Sequence, residues 1–263
     1  MIRSLHPAEK AMQMEQVRID ALANNLANVD STGFRQILTR VIEKGAPDGP
    51  VADADVAITA AAAGRTAAGG RTTVGVPDTL VTHALDPRKG PVGATGRETD
   101  VAIMGRGFFV VQTDAGERYT RAGSFTLDSQ RRLVTPEGNV VLGQGGPVTL
   151  DGRAFAIAND GTVTVDGQPR GRLRLVDFAD PTRLEHEGAN RLQAPEGLEA
   201  QDVPAAEIVL AQGHLEGSNV DPIDVLVDMI AAQRAFELHT KVVTTEDELL
   251  SRSVNTLGRA NAT

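Results

Sequence analysis

The sequence predicts an α+β protein in which long N- and C-terminal α-helices form a coiled-coil-like domain and flank a mostly antiparallel β middle domain. Apolar residues recur at seven-residue spacing near both ends of the chain, as they do in helices that pack side by side. Between the ends, short β-branched runs alternate with turn-forming pairs, which is typical of antiparallel sheets. At 263 residues the chain is long enough for more than one compact unit.

The first predicted element is an amphipathic helix over residues 5–29, within an N-terminal assembly segment of residues 1–35. Its apolar stripe consists of Leu5, Met12, Ile19 and Leu26, with Leu22 beside it. Pro7 is compatible with this helix because it falls near the first turn, where its missing N–H breaks no helical hydrogen bond. Gly33 follows the stripe and can adopt the left-handed conformation that closes a helix.

Residues 45–72 differ in composition from the rest of the chain. Five Gly, ten Ala and two Pro occupy 17 of these 28 positions, so the segment has little apolar surface to bury. We interpret it as a mobile linker or adaptable arm, part of a connecting region over residues 36–96.

A β-rich outer domain is predicted over residues 97–215. The strand-like runs lie at residues 101–103, 108–111, 124–127, 140–142, 156–157, 162–165, 173–176 and 208–210. Hairpin signals such as Glu137-Gly138 and Asp166-Gly167 separate them. Residues 181–207 are polar and contain Glu, Gly and Pro, so we expect them to be irregular.

The clearest helix signal lies in the C-terminal segment, residues 216–263. Asp221 is placed to cap a helix that begins at Pro222 and runs to about Gly258. Its apolar stripe consists of Met229, Phe236, Val243, Leu250 and Leu257, spaced seven apart. We expect this stripe to pack against the N-terminal helix. One shared seam leaves the flanks of both helices uncovered, so we expect further copies of the chain to cover them in a helical filament.

Composition excludes several functional classes. The net charge is −9 and aromatic residues make up 3% of the chain, which disfavours nucleic-acid binding and base or sugar stacking. There is no Cys, and the five His residues form no metal-ligand pattern. We find no signal-peptide pattern, membrane-spanning stretch, phosphate loop or nucleophile elbow. We therefore expect no cofactor, no metal, no catalytic residue, no small-molecule substrate, no nucleic-acid partner and no membrane insertion.

Three blocks of sequence resemble the bacterial flagellar rod and hook protein family. The first runs from Ala23 through Asn24, Asn25, Leu26 and Asn28 to Ser31-Thr32-Gly33-Phe34. The second comprises residues 100–109 and 119–125, and the third comprises residues 213–220 followed by residues 229–237. The three blocks stand in the family's order and reach both ends of the chain.

The resemblance implies a self-assembling structural subunit of the flagellar basal-body rod, the axial drive shaft that links motor to hook and surrounds the export channel. Such a subunit assembles with copies of itself and with other rod and hook axial proteins. It leaves the cell through the flagellar (type III) export apparatus without a cleaved signal peptide and crosses the periplasm. Residues 142–148 and 171–178 favour the proximal-rod (FlgF) type, and the distal-rod (FlgG) type is the alternative. From other classes, a secreted cell-wall-active enzyme and a membrane-active coiled-coil protein remain alternatives, disfavoured by the few aromatics and the acidic balance respectively.

The stripes and the resemblance together define a candidate assembly interface. It consists of Leu5, Met12, Ile19, Leu22, Asn24, Asn25, Leu26, Asn28, Gly33, Phe34, Ser218, Asn219, Val220, Met229, Arg234, Phe236, Val243, Leu250 and Leu257. The three Asn residues are poor helix formers close together. They either fray and cap the helix end or form hydrogen bonds that fix the register between subunits.

Overall fold

The structure is a computed structural model that describes residues 5–43, 79–152 and 154–260. Within these residues there are two α-helices, α1 (Leu5–Ala27) and α2 (Pro222–Ala260), and two short 3-10 helices at Pro181–Arg183 and Ala205–Glu207. The strands are β1 Ile37–Glu43, β2 Thr79–Leu85, β3 Val92–Ala94, β4 Val101–Ile103, β5 Phe108–Thr113, β6 Gly116–Thr120, β7 Thr126–Leu127, β8 Leu133–Val134, β9 Val140–Gly143, β10 Gly146–Pro147, β11 Phe155–Ile157, β12 Thr162–Val165, β13 Gln168–Arg172, β14 Leu175–Asp177, β15 Glu185–Gly188, β16 Arg191–Gln193, β17 Gln201–Asp202, β18 Leu210–Gln212 and β19 His214–Glu216.

The predicted fold class is wrong in its helical part, because the expected coiled-coil-like domain is not found. Helix α1 ends at Ala27 after 23 residues, earlier than predicted. A coiled coil buries the side chains of its seam. None of the heptad side chains that the structure describes is buried: Met12, Ile19, Leu26, Met229, Phe236 and Val243 are all half-buried. Seven-residue spacing shows that a helix has an apolar face, but it does not show that another helix covers that face.

The chain divides into two compact units. The terminal unit comprises Met1–Ala23, Thr39–His83 and Leu226–Thr263. The second unit, which we call the β body, comprises Asn24–Leu38 and Ala84–Val225. The β body therefore includes the last turn of α1, the first turn of α2 and the segments that connect both helices to the strands. The predicted linker at residues 45–72 lies outside the described residues.

The β body is built around a ten-stranded sheet in which β15, β16, β6, β5, β9, β8 and β7 lie side by side. Strand β10 extends it from β9, and β14 pairs with both β5 and β17. Smaller sheets are formed by β11-β12-β13, by β18 with β4 and by β19 with β3. All registered pairs in these sheets are antiparallel. Outside these sheets, β1 pairs with β2.

Strand β5 separates two apolar cores. Phe109 and Val111 point into the larger core, where the ring of Phe109 meets the edge of Phe125 at 5.1 Å between centroids. Phe108 and Val110 point into the second core, on the other face of the strand. Successive side chains of a strand point to opposite faces. The uninterrupted apolar run at the start of β5 is therefore explained by burial on both sides.

Several local predictions are confirmed. Helix α2 begins at Pro222, and the Asp221 carboxylate accepts a hydrogen bond from the N–H of Ile223 at 2.8 Å. The β12–β13 hairpin turns at Asp166 and Gly167, whose φ angles of 49° and 80° are those of a two-residue turn with both positions left-handed. The prediction that residues 181–207 are irregular is wrong in part, because they contain three short strands and both 3-10 helices.

Candidate assembly interface

The segment that leaves α1 is fixed to the β body at Gly33 and Phe34. Gly33 is buried with φ +66°, and its N–H donates to the carbonyl of Glu216 at 2.8 Å. A β-carbon at this position would overlap the backbone of Arg121 and Ala122. The Phe34 ring is buried and stacks on the His186 ring at 5.1 Å between centroids. Gly33 is therefore required by close packing as well as by its backbone angle.

The three predicted asparagines occupy three different environments. Asn25 is fully buried, and its side-chain amide donates to the carbonyl of Ile37 and accepts from its N–H, both at 2.8 Å. Asn24 is exposed. Asn28 is half-buried, donates to the Asn24 carbonyl at 2.8 Å and accepts from the hydroxyl of Ser31 at 3.0 Å. Within the chain, Asn25 holds the segment after the helix, and Asn28 closes the helix end.

The segment that leads into α2 is held in a similar way. The Asn219 side chain accepts from the N–H of Gln36 at 2.7 Å and donates to the carbonyl of Arg88 at 2.8 Å. Ser218 and Val220, on either side, are buried. Asn219 therefore bridges the segment after α1 to the segment after β2.

Sequence reasoning missed the charged residues at the centre of this region. Glu216 is 1% exposed, and its two carboxylate oxygens bind different guanidinium groups. Oε1 accepts from Nη2 of Arg35 at 2.8 Å, and Oε2 accepts from Nε of Arg121 at 2.8 Å. All three residues lie within or beside the quoted blocks of resemblance. The sequence alone gave no signal for them, since a buried charge needs a partner and the sequence does not show which residue that partner is.

The hydrogen-bonding capacity of Arg121 is used within the chain. Besides Glu216, it donates to the carbonyls of Gly107 at 2.6 Å and Ile103 at 3.1 Å. Burial lowers the pKa of Arg35, and the neighbouring Glu216 carboxylate opposes that shift. An Arg side chain keeps its proton in proteins, so both guanidinium groups are charged at neutral pH.

We call the assembly of residues 31–37, 86–91, 121–123 and 214–220 the joint.

The predicted interface residues on the two helices do not belong to the joint. On α1, Leu22 is buried, whereas Met12, Ile19 and Leu26 are half-buried; Leu5 begins the helix, and its side chain lies outside the description. On α2, Met229, Phe236 and Val243 are half-buried, and Arg234 is exposed. The side chains of Leu250 and Leu257 are outside the description.

Helix α2 has a second apolar face that the heptad analysis did not identify. It consists of Ile223, Leu226, Val227, Ile230, Leu238, Val242 and Leu249, which are between 45% and 71% exposed. At 3.6 residues per turn, these side chains, which we call the exposed stripe, lie between about 60° and 220° around the helix from Met229, and their centre is about 160° from Met229 and Phe236. Arg234 lies within it, four residues from both Ile230 and Leu238. A helix that is apolar on opposite sides is normally covered on both.

Neither a candidate metal site nor a candidate membrane span is found in the described part of the chain. No group of three or more His, Asp or Glu side chains in residues 5–43, 79–152 and 154–260 could hold a metal ion. No helix in that part of the chain combines the length and the apolar character that crossing a membrane requires.

Three family profiles match the chain in sequence order. Residues 5–35 match the profile described as flagella basal body rod protein. Residues 102–165 match the flagellar hook protein FlgE/F/G D1 domain, and residues 211–257 match the C-terminal region of the flagellar basal body rod FlgEFG protein. Gly33 and Arg35 lie in the first match, Arg121 in the second and Glu216 in the third.

Curated relatives match over nearly the whole chain. The flagellar basal-body rod protein FlgG of Bacillus subtilis is 34% identical, over 97% of this chain and 99% of its own length. The flagellar basal-body rod protein FlgF of Caulobacter vibrioides is 35% identical, over 92% of this chain and 93% of its own length. FlgF of Salmonella typhimurium is 36% identical, over 86% of each chain. The chain therefore belongs to the flagellar basal-body rod protein family and is a structural subunit of the rod, not an enzyme.

Proposed function

We propose that this subunit assembles with copies of itself and with other axial proteins through the exposed stripe of α2, forming the drive shaft that links motor to hook and surrounds the export channel. The exposed stripe is the single observation that carries this proposal. Its seven large aliphatic side chains are about half exposed, and covering each would contribute about 1 kcal/mol. A total of about 7 kcal/mol is small once the cost of association is included. Contacts repeated with several neighbours, as in a helical assembly, would make it sufficient.

The predicted interface residues divide into two groups under this proposal. Arg234 lies in the exposed stripe and belongs to the surface between subunits. Asn25, Gly33, Phe34 and Asn219 make their contacts inside the β body, so we assign them to shaping the subunit. The others remain proposed interface residues: Leu5, Met12, Ile19, Leu22, Asn24, Leu26, Asn28, Ser218, Val220, Met229, Phe236, Val243, Leu250 and Leu257. In the same proposal residues 1–35 and 216–263 serve assembly, residues 97–215 form the outer domain and residues 36–96 are the connecting arm.

Ile230→Asp tests the exposed stripe. An ionised carboxylate at this half-exposed position is well solvated in the free subunit, but burying it against an apolar neighbour is costly, so rod incorporation should be lost. The free energy of unfolding of the monomer should differ from that of the unsubstituted chain by about 0.5 kcal/mol or less, because Ile230 is a surface residue. The assay is motility, together with the amount of subunit in isolated basal bodies.

Gln233→Asp is the matched control. Gln233 is exposed on the same helix and lies about 110° around it from the centre of the stripe, so this variant adds the same charge away from that centre and should still assemble. If Ile230→Asp assembles normally, or if both variants fail to the same extent, the exposed stripe is not the interface.

Within the family we propose the proximal-rod (FlgF) type, with the distal-rod (FlgG) type as the alternative. The support comes from residues 142–148 and 171–178. Relatives of both types are similarly identical to this chain, at 34% and 35%, so overall identity favours neither. Tagging the subunit and locating it along the rod by electron cryotomography tests the assignment. Density near the inner-membrane end supports the proximal type, and density at the hook end supports the distal type.

We also propose that the subunit leaves the cell through the flagellar export apparatus and occupies the periplasmic part of the rod. Membership of the rod family supports this route. In a strain lacking the export apparatus, the subunit should accumulate in the cytoplasm and be missing from periplasmic fractions. Unchanged periplasmic levels in that strain would mean that another pathway exports it.

A further inference from the structure

Three separate parts of the chain meet at the carboxylate of Glu216. Arg35 comes from the segment after α1, Arg121 from the connection after β6, and Glu216 from the end of β19, six residues before α2. Their side chains are 6%, 3% and 1% exposed. The ion-pair distances are 2.8 Å from Nη2 of Arg35 and 2.7 Å from Nη2 of Arg121.

Each of the three segments contributes a buried charged side chain to this cluster. Two buried guanidinium groups share the Glu216 carboxylate, and the buried Asp86 carboxylate, which is paired with Arg88 at 2.6 Å, also attracts Arg35. Removing one partner of a buried ion pair leaves an uncompensated charge away from water, which costs far more than losing a surface pair. If the segment after α1 leaves the rest of the β body, the Glu216 carboxylate loses one of its two guanidinium partners. If the segment before α2 leaves, both Arg residues lose their shared carboxylate.

Backbone hydrogen bonds connect the same segments. The N–H of Gly33 donates to the carbonyl of Glu216, and the N–H of Gly217 donates to the carbonyl of Pro91 at 2.7 Å. Gly90 N–H donates to the Glu216 carboxylate at 3.2 Å. The C=O and the N–H of the peptide group between Glu216 and Gly217 are therefore each tied to a segment that is distant in sequence.

We propose that Arg35, Glu216 and Arg121 form a charge lock that makes the segment after α1 and the segment before α2 dock onto the rest of the β body together or not at all. Arg121 is the fixed part of the lock, because its remaining donors bind carbonyls of β4 and the β4–β5 connection. Arg35 and Glu216 are the two parts that the docking segments contribute. The lock gives the subunit a single arrangement of the two segments that continue into its terminal helices.

Hydrogen exchange on the full-length monomer tests the lock, with Arg35→Met and Glu216→Gln as the variants. Because the two segments are coupled, Arg35→Met should speed exchange in residues 214–220 as well as in its own segment. Glu216→Gln should likewise speed exchange in residues 31–37. We expect a change of about tenfold in the distant segment, within the usual range for coupled sites. The double variant should change exchange by less than the product of the single effects.

Asp160→Asn is the matched control. Asp160 pairs with Arg172 at 3.0 Å in the same β body, but their side chains are 47% and 29% exposed. This variant should leave exchange in both joint segments unchanged. Exchange in β12, residues 162–165, reports global unfolding and should be unchanged in the two lock variants.

The outcomes separate coupling from ordinary stabilisation. The proposal is overturned if each variant affects only its own segment, or if exchange in β12 rises as much as exchange in the joint. If Glu216→Gln does not fold, Arg35→Lys replaces it, since Lys keeps the charge but loses the forked donor geometry. Faster exchange in residues 214–220 of that variant supports the lock, and unchanged exchange there contradicts it. These measurements use the monomer, so they stand or fall independently of the proposed assembly through the exposed stripe.

Discussion

The joint and the exposed stripe of α2 differ in which kinds of side chain they bury and which they expose. In the joint, polar and charged side chains are buried and their hydrogen bonds are made within the subunit, as at Arg35, Arg121 and Glu216. In the exposed stripe, aliphatic side chains such as Ile223 and Leu238 are 71% and 66% exposed. Buried polar groups need defined partners, whereas apolar surface gains from any dry neighbour.

The difference indicates where each region does its work. The joint has fixed partners of defined geometry, so it determines the shape of one subunit. The exposed stripe has surface left to bury, so it is suited to contacts between subunits. Substitutions in the joint should therefore lower the stability of the monomer, and substitutions in the stripe should lower assembly alone.

Gly33→Ala should give the largest loss of stability. The added β-carbon would overlap the backbone of Arg121 and Ala122, and the left-handed φ of +66° is unfavourable for Ala. We expect the free energy of unfolding to fall by about 3 kcal/mol, measured by urea denaturation of the monomer.

Gly138→Ala separates the two causes. Gly138 also has a positive φ, +89°, but no atom lies within 4 Å of an added β-carbon. Its loss should be about 1 kcal/mol, the cost of the left-handed conformation alone. Equal losses at Gly33 and Gly138 would show that close packing in the joint contributes nothing.

Asn25→Ala should have the next largest effect. It leaves both the N–H and the carbonyl of Ile37 without their side-chain partner, which should cost about 2 kcal/mol in the free energy of unfolding. Asn24→Ala is the control, because Asn24 is exposed and Ala is the better helix former. Thermal denaturation should show a lower Tm for Asn25→Ala and an unchanged or higher Tm for Asn24→Ala. If Asn24→Ala lowered the Tm more than Asn25→Ala, then Asn24 would be the residue that stabilises the subunit.

Local chemistry made much of the β body predictable. Strands β4 and β12 have the predicted bounds, because each is a short apolar or β-branched run between turn residues. The start of α2 followed from a capping Asp and a Pro at the first helical position. Strands β1 and β2 are also rich in β-branched and apolar residues, but the sequence analysis missed them, because their pairing across residues 44–78 is non-local and is not visible in the sequence.

The joint and the exposed stripe could not be predicted by the same reasoning. Sequence spacing assigned the apolar character of α2 to Met229 and Phe236, and those side chains are only half-buried. Ile230 and Leu238 are the more exposed, because the helix is apolar on two opposite sides and spacing does not say which side is covered. Arg35 and Glu216 were overlooked since they lie 181 positions apart, and an ion pair at that separation is specified by the fold alone.

His186 provides the smallest and most specific test of the joint. Its ring stacks on Phe34, and its Nε2 lies 3.1 Å from the carbonyl oxygen of Arg35, so Nε2 carries the proton of the neutral ring. Burial lowers the pKa of His186 in the folded protein, and the hydrogen bond to Arg35 only partly opposes this. As the pH falls below about 6.5, the unfolded chain then binds more protons at this residue than the folded chain, so stability should decrease.

His186→Gln keeps an amide N–H that can donate to Arg35 and does not titrate. Urea denaturation at pH 7.5 and pH 5.5 should therefore show a larger fall in the free energy of unfolding for the unsubstituted chain than for His186→Gln. Equal falls would mean that the acid sensitivity of the β body arises outside the joint.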